Sequence, residues 1–179
     1  MSVEADADVD LHAMAVTGSV RQIAAGIWRI VAPNPSALTG PGTNTYVVGA
    51  TRPVVIDPGP DDDAHLDRIV VVAGGPRERS GAKVYGQPPP DDGYQDVTYA
   101  PDAGLAHDER IVAGGVVLRA LHTPGHASNH VCFLAEDSGL IFTGDHLMSG
   151  STVVILPPDG SMRLYLDSLR TLRTLPLSS

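Results

Sequence analysis

The stretch Leu121-His122-Thr123-Pro124-Gly125-His126 decides how this 179-residue sequence is read, because its last histidine is answered nineteen residues later by Asp145 in Phe142-Thr143-Gly144-Asp145-His146. Each string follows an apolar run, Val116 to Leu121 in the first case and Leu140-Ile141-Phe142 in the second, so each sets a donor at the turn that ends a strand. A histidine nitrogen and a carboxylate oxygen on turns that leave adjacent strands are what a zinc ion takes from a rigid scaffold. Between them His130 to Leu134 reads as a further strand, joined to the next by the hairpin turn Glu136-Asp137-Ser138-Gly139.

Working back from that core, three more short runs carry strand character. Ile27-Trp28-Arg29-Ile30-Val31, Thr45-Tyr46-Val47-Val48 and Pro53-Val54-Val55-Ile56 are rich in β-branched residues and bounded by Gly, Pro or Asn. After Asp57-Pro58-Gly59-Pro60, the acidic Asp61, Asp62 and Asp63 suit a helix N-terminus, and Leu66, Ile69, Val70 and Ala73 follow at helical spacing until Gly74-Gly75-Pro76. A last helix is expected to present Met162, Tyr165, Leu166, Leu169 and Leu172 on one face, with Pro176 as its stop. Residues 1–20 are expected to be a disordered tail, with order starting near Gln22, and 21–179 to be one domain. Within it, 74–106 is rich in Gly, Pro, Asp and Ser, with Lys83-Val84-Tyr85 and Val97-Thr98-Tyr99 as fragments of strand. Such a length without regular structure counts against a complete fold.

Composition narrows function by exclusion. A formal charge of −9 repels phosphate backbones, and the densest basic spot, Arg77 and Arg79, is interrupted by Glu78, so no nucleic-acid partner is expected. No apolar run reaches the length of a membrane span and the acidic first residues lack the pattern of a signal peptide, so the expectation is a soluble cytoplasmic protein with no membrane partner. The single cysteine, Cys132, excludes an internal disulfide and reads as a buried thiol. Glycines at 59, 125 and 144 begin neither a Walker nor a dinucleotide loop, and no Gly-x-Ser-x-Gly occurs.

At this point four strings stand in series: Gly40-Pro41-Gly42-Thr43-Asn44-Thr45-Tyr46, Val55-Ile56-Asp57-Pro58-Gly59, His122-Thr123-Pro124-Gly125-His126 and Phe142-Thr143-Gly144-Asp145-His146. In this order they resemble the metallo-β-lactamase superfamily, in particular the branch of lactamase-like, glyoxalase II-like and thioesterase-type hydrolases. The resemblance runs from about Gln22 to Leu175. It implies an α/β fold, the αβ/βα sandwich of two mixed sheets with outer helices, here incomplete. It implies zinc as cofactor, with His126 completing one zinc site and Asp145 bridging two. It also implies a metal-bound hydroxide that attacks an ester, thioester, amide or phosphodiester. Asp57 matches a position beneath the site that orients neighbouring loops and is not a ligand.

The departures limit the chemistry. The family's His-x-His-x-Asp-His motif occurs nowhere: His12, His65, His107, His122, His126, His130 and His146 form no His-x-His pair. In relatives that motif precedes a Gly-Ala-x-Val-Tyr-Gly string, and here Gly81-Ala82-Lys83-Val84-Tyr85-Gly86 follows Gly74-Gly75 almost at once. A strand, the motif and most of a helix, about 20 residues or more, are missing by typical element lengths. The chain also stops at Ser179, before the turn that carries the family's last zinc histidine, so the expectation is an internally deleted, C-terminally truncated member. Two donors, His126 and Asp145, remain where catalytic zinc takes three plus water. His122 and His130 each stand four residues from His126 in a Pro-Gly turn, a spacing that gives no reason for convergence.

Ordinary roles compete for the same residues. Asp145 suits an N-cap or Asx turn, His146 a structural place, His65 a solvated place on an acidic helix, and Trp28 and Tyr46 the core. Two function classes follow. One is a metallo-hydrolase with weak or no turnover, acting on a small-molecule substrate where active, with no catalytic residue assigned and His126 and Asp145 as metal contacts. The other is a noncatalytic pseudoenzyme or remnant that associates with itself or another chain through exposed core.

Overall fold

The computed structural model describes residues 15–74, 82–91, 93, 95–148 and 152–178. The chain divides into two compact units, residues 1–79 with 113–115 and residues 80–112 with 116–179, where the sequence suggested one domain. Among the described residues each unit carries a four-stranded sheet and one α-helix.

In the first unit β1 (Val20–Ala24), β2 (Ile27–Val31), β3 (Asn44–Val48) and β4 (Val54–Ile56) form a sheet in that order, every neighbour antiparallel. Order therefore starts earlier than Gln22: Gly18 N–H donates to Val31 O and Val31 N–H to Ser19 O, tying the residues before β1 to the end of β2. Of the expected tail, 1–14 lie outside the described residues. The following helix, α1, spans Asp63–Val72. Asp62 caps it by accepting the His65 N–H at 2.8 Å, and it ends at Ala73 and Gly74, whose φ of 66° a β-carbon would disfavour. Ile69 of α1 packs with Ile30 and Val47, joined by Trp28, Val55, Leu66, Val72 and Ala73. Burying each such aliphatic side chain contributes about 1.5–3 kcal/mol, and alternate residues of β2 and β3 reach this face because strand side chains have a period of two.

In the second unit the sheet order is β5 (Arg110–Ala113), β6 (Val116–His122), β7 (Val131–Ala135) and β8 (Leu140–Phe142). The β6–β7 and β7–β8 pairs are antiparallel, and the latter closes through the expected turn at Glu136 to Gly139. Among the described residues the parallel pairing that a mixed sheet requires is the isolated bridge Tyr85↔Ala103. β5 was not anticipated. Its signal was Gly114-Gly115, both at positive φ, the two-residue linkage of a tight hairpin. Val97-Thr98-Tyr99 is not a strand: Asp96 Oδ1 accepts from Thr98 N and Oγ1 at 2.9 and 2.6 Å, an Asx turn.

Helix α2 (Met162–Leu172) is capped by Ser161, which accepts from Leu164 N at 3.4 Å. Its buried residues are Ser168 and Leu172, whereas Met162 and Leu166 are exposed, so the buried face is rotated from the expected one. The rotation follows from Ser168, whose hydroxyl donates to Pro124 O at 2.8 Å and turns a polar residue inward. Leu172 packs with Leu121, Cys132 and Leu134, and Cys132 is buried as its place in β7 implied. No described helix is long and apolar enough to cross a membrane.

Candidate metal centre

The second unit gathers the candidate donors. His122 ends β6, the turn Thr123 to Asn129 carries His126, His130 precedes β7, and the turn after β8 is a single 3-10 turn, Gly144–His146. Gly125 has φ 150°, and a β-carbon there would collide with the Tyr165 backbone, so only glycine lets the turn lie against α2. The segment before α2 binds the same turn: Ser128 N–H donates to Asp159 Oδ2 at 2.7 Å and Ser161 N–H to Gly125 O at 2.8 Å.

His126 is held by its own ring. Nδ1–H donates to the Val154 carbonyl at 2.6 Å, which leaves Nε2 as a lone-pair nitrogen, 3.9 Å from Asp145 Oδ2. A backbone carbonyl on the far ring nitrogen is the support that metal-binding histidines usually have. Asp145 is not the N-cap that its ordinary reading offered. It lies inside the 3-10 turn behind Thr143, with its side chain 71% exposed.

The other histidines divide sharply. The His122 ring is engaged by the turn itself, its Nε2–H donating to Ser128 O at 2.8 Å. His130 and His146 come close to His126 although the spacing gave no reason for it: ring centroids are 6.3 Å apart for His126 and His130 and 5.4 Å for His130 and His146. The convergence comes from tertiary structure, since β7 returns His130 beside the turn and β8 delivers His146 next to it. His130 Nδ1 lies 2.9 Å from Thr123 Oγ1, which donates onward to Cys132 Sγ at 3.3 Å, so the hydroxyl accepts from Nδ1–H. Burial first, then the like charges that His146, His126 and His122 would carry, push the His130 imidazole down to about 3. Burial and then His126 hold His146 below its ordinary range as well. His146 is fully buried, its ring 4.7 Å from that of Tyr165, and neither ring nitrogen has a hydrogen-bond partner among the described residues.

These residues do not fit a family-type centre. Among the described residues no group of three or more His, Cys, Asp or Glu is arranged to hold a metal ion. His126 Nε2 and Asp145 Oδ2, 3.9 Å apart, offer two donors, one short of the three that catalytic zinc takes. His130 and His146 stand beside them without closing a coordination shell.

In the first unit, Asp57 follows β4 at φ 52°, a left-handed conformation that aspartate tolerates better than most residues. Its carbonyl accepts the Thr45 hydroxyl at 2.6 Å, and Thr45 Oγ1 in turn lies 2.9 Å from His65 Nε2. His65 is therefore no solvated residue. It is fully buried, because it shares the inward face of α1 with Ile69 one turn on.

The class is now defined by two antiparallel sheets, a helix in each unit, and donors on the turns after β6 and β8. Residues 68–178 match the metallo-beta-lactamase superfamily, and the chain belongs to it. An atrochrysone carboxyl ACP thioesterase of Aspergillus chevalieri is 33% identical over 162 residues, covering 75% of this chain and 50% of that protein. The metallo-beta-lactamase family protein TTHA1429 from Thermus thermophilus superposes with a TM-score of 0.69 at 19% identity, over 86% of this chain and 71% of that one. TTHA1623, solved in a di-iron-bound form, does so at 0.62 and 23%, over 83% and 86%. The superfamily is thus one whose members bind metal ions. The chain spans about half the length of the curated relatives it matches.

Proposed function

We propose that this chain is a hydrolase-family protein whose ancestral reaction, zinc-hydroxide hydrolysis of an ester, thioester, amide or phosphodiester, is weak or lost. The carrying observation is the donor count: His126 Nε2 and Asp145 Oδ2, 3.9 Å apart, lack a third ligand among the described residues. Without the His-x-His-x-Asp-His motif the chain also lacks the aspartate that would orient a nucleophilic water. A thioester is the first substrate class to test, since a relative carries the name of a carrier-protein thioesterase. The assay is release of thiol from an acyl thioester by protein incubated with zinc, iron(II) or manganese. Rates no more than about tenfold above the metal-only control, unchanged in Asp145→Asn, are expected; turnover near a typical ~10 s⁻¹ that Asp145→Asn abolishes would overturn the reading.

The noncatalytic reading has its own support. The last turn of α1, Ile69 to Ala73, is apolar on every side and leaves Val71 78% exposed. Sedimentation velocity over a hundredfold concentration range tests it. Self-association that Val71→Lys weakens favours an associating protein, and a concentration-independent monomer argues against self-association through this patch.

A further inference from the structure

We propose that His65 and Thr45 are positioning residues that lock the turn Asp57-Pro58-Gly59 while His65 is neutral, and that protonation of His65 opens the lock. The lock lies in the first unit alone and is independent of the hydrolase reading. It is a chain of donors with one direction. Thr45 spends its hydroxyl proton on Asp57 O at 2.6 Å, so it accepts from His65 Nε2–H at 2.9 Å, and His65 Nδ1 is left unprotonated. That Nδ1 is buried with no partner among the described residues. Gly59, at φ 79°, completes the fit: a β-carbon would stand 2.9 Å from His65 Nε2 and 3.3 Å from Thr45 Oγ1. The turn is thus seated on the ring, and Asp57 is kept left-handed from below.

A proton can arrive only at Nδ1. There it would create a buried N–H that has no partner as the ring now sits and a charge without solvent, and burial outweighs the Pro58 carbonyl that favours the proton, so the ring gains by leaving its seat. The charged and polar groups around it pull in both directions. Burial lowers its affinity for a proton most; the Pro58 carbonyl on the turn raises it, Arg68 on α1 lowers it and Asp62 at the helix N-cap raises it. Asp62 is already engaged by the His65 backbone N–H. The Asp57 carboxylate on the turn, Asp63 and Asp67 on α1 and Tyr46 on β3 are the other titratable groups of these elements. Once the ring moves, the Thr45 hydroxyl loses the donor that orients it, and the Asp57 carbonyl loses its hold.

Nuclear magnetic resonance of the full chain tests this from pH 7.5 to 4. The expected result is a His65 ring titration with a midpoint below the ordinary value of about 6.5, accompanied at the same midpoint by the Asp57 and Gly59 amides. Thr45→Ser should keep that joint step. His65→Gln, which offers an amide donor that does not titrate, should hold the turn closed and abolish the step. A turn whose amides stay still while His65 titrates, a step that survives in His65→Gln, or a His65 ring that stays neutral until global unfolding would overturn the proposal.

Discussion

Two fully buried histidines, one in each unit, are treated in opposite ways. His65 gives one ring nitrogen to Thr45, and through it supports a left-handed turn. His146 gives neither, although it sits among His130, Tyr165 and the donor pair His126 and Asp145. The first turn takes its support from its own neighbours. The second keeps one ring N–H and one lone pair that nothing among the described residues engages. The glycine turn and the carbonyl-braced His126 are in place although no third donor joins His126 and Asp145 among the described residues.

The largest effect that would sharpen this contrast is in acid. His130, His65 and His146 all have folded-state proton affinities depressed by burial, His130 down to about 3. The unfolded chain therefore binds more protons below about pH 6.5, and stability falls as pH drops from there towards 3. For His130 alone the linked loss reaches the order of 4 kcal/mol at the acid end, read as a falling urea midpoint. A midpoint constant from pH 7 to 4.5 would break the assignment of these rings as buried and neutral.

Next in size is Gly125→Ala, which forces a β-carbon into the Tyr165 backbone and a left-handed angle on alanine. A loss of about 2–4 kcal/mol is expected by chemical denaturation, against about 1 kcal/mol for Gly74→Ala, which meets open space and bears only the φ penalty. Equal losses would mean that the turn is not pressed against α2. Smaller again is Asp159→Ala, which removes an acceptor from Ser128 N–H on the surface of the same turn. About 1 kcal/mol is expected, with the Val154 contact of His126 loosened in the histidine ring spectrum. An unperturbed His126 ring would show that the segment before α2 does not brace it.

The turns and most strands were legible because they rest on local signals. β2, β3 and β4 follow runs rich in β-branched residues, and α1 begins at an aspartate cap and ends at glycine. What escaped was set by distance in sequence. The charged neighbours of His65 suggest a solvated residue, yet its position one turn before Ile69 puts it on the core face, a periodicity that outweighs local charge. The inward face of α2 turned on Ser168, whose partner Pro124 lies 44 residues away. The approach of His130 and His146 to His126 likewise depends on strand pairing that no i, i+4 rule describes. The family was readable directly, since its motif strings are local by nature.

Metal content tests the central claim most directly. Protein purified without chelator and analysed for zinc, iron and manganese should hold well below one ion per chain, and its thermal midpoint should not move on adding zinc. One to two tightly held ions per chain, lost together with stability in His126→Ala, would contradict the account of a two-donor remnant.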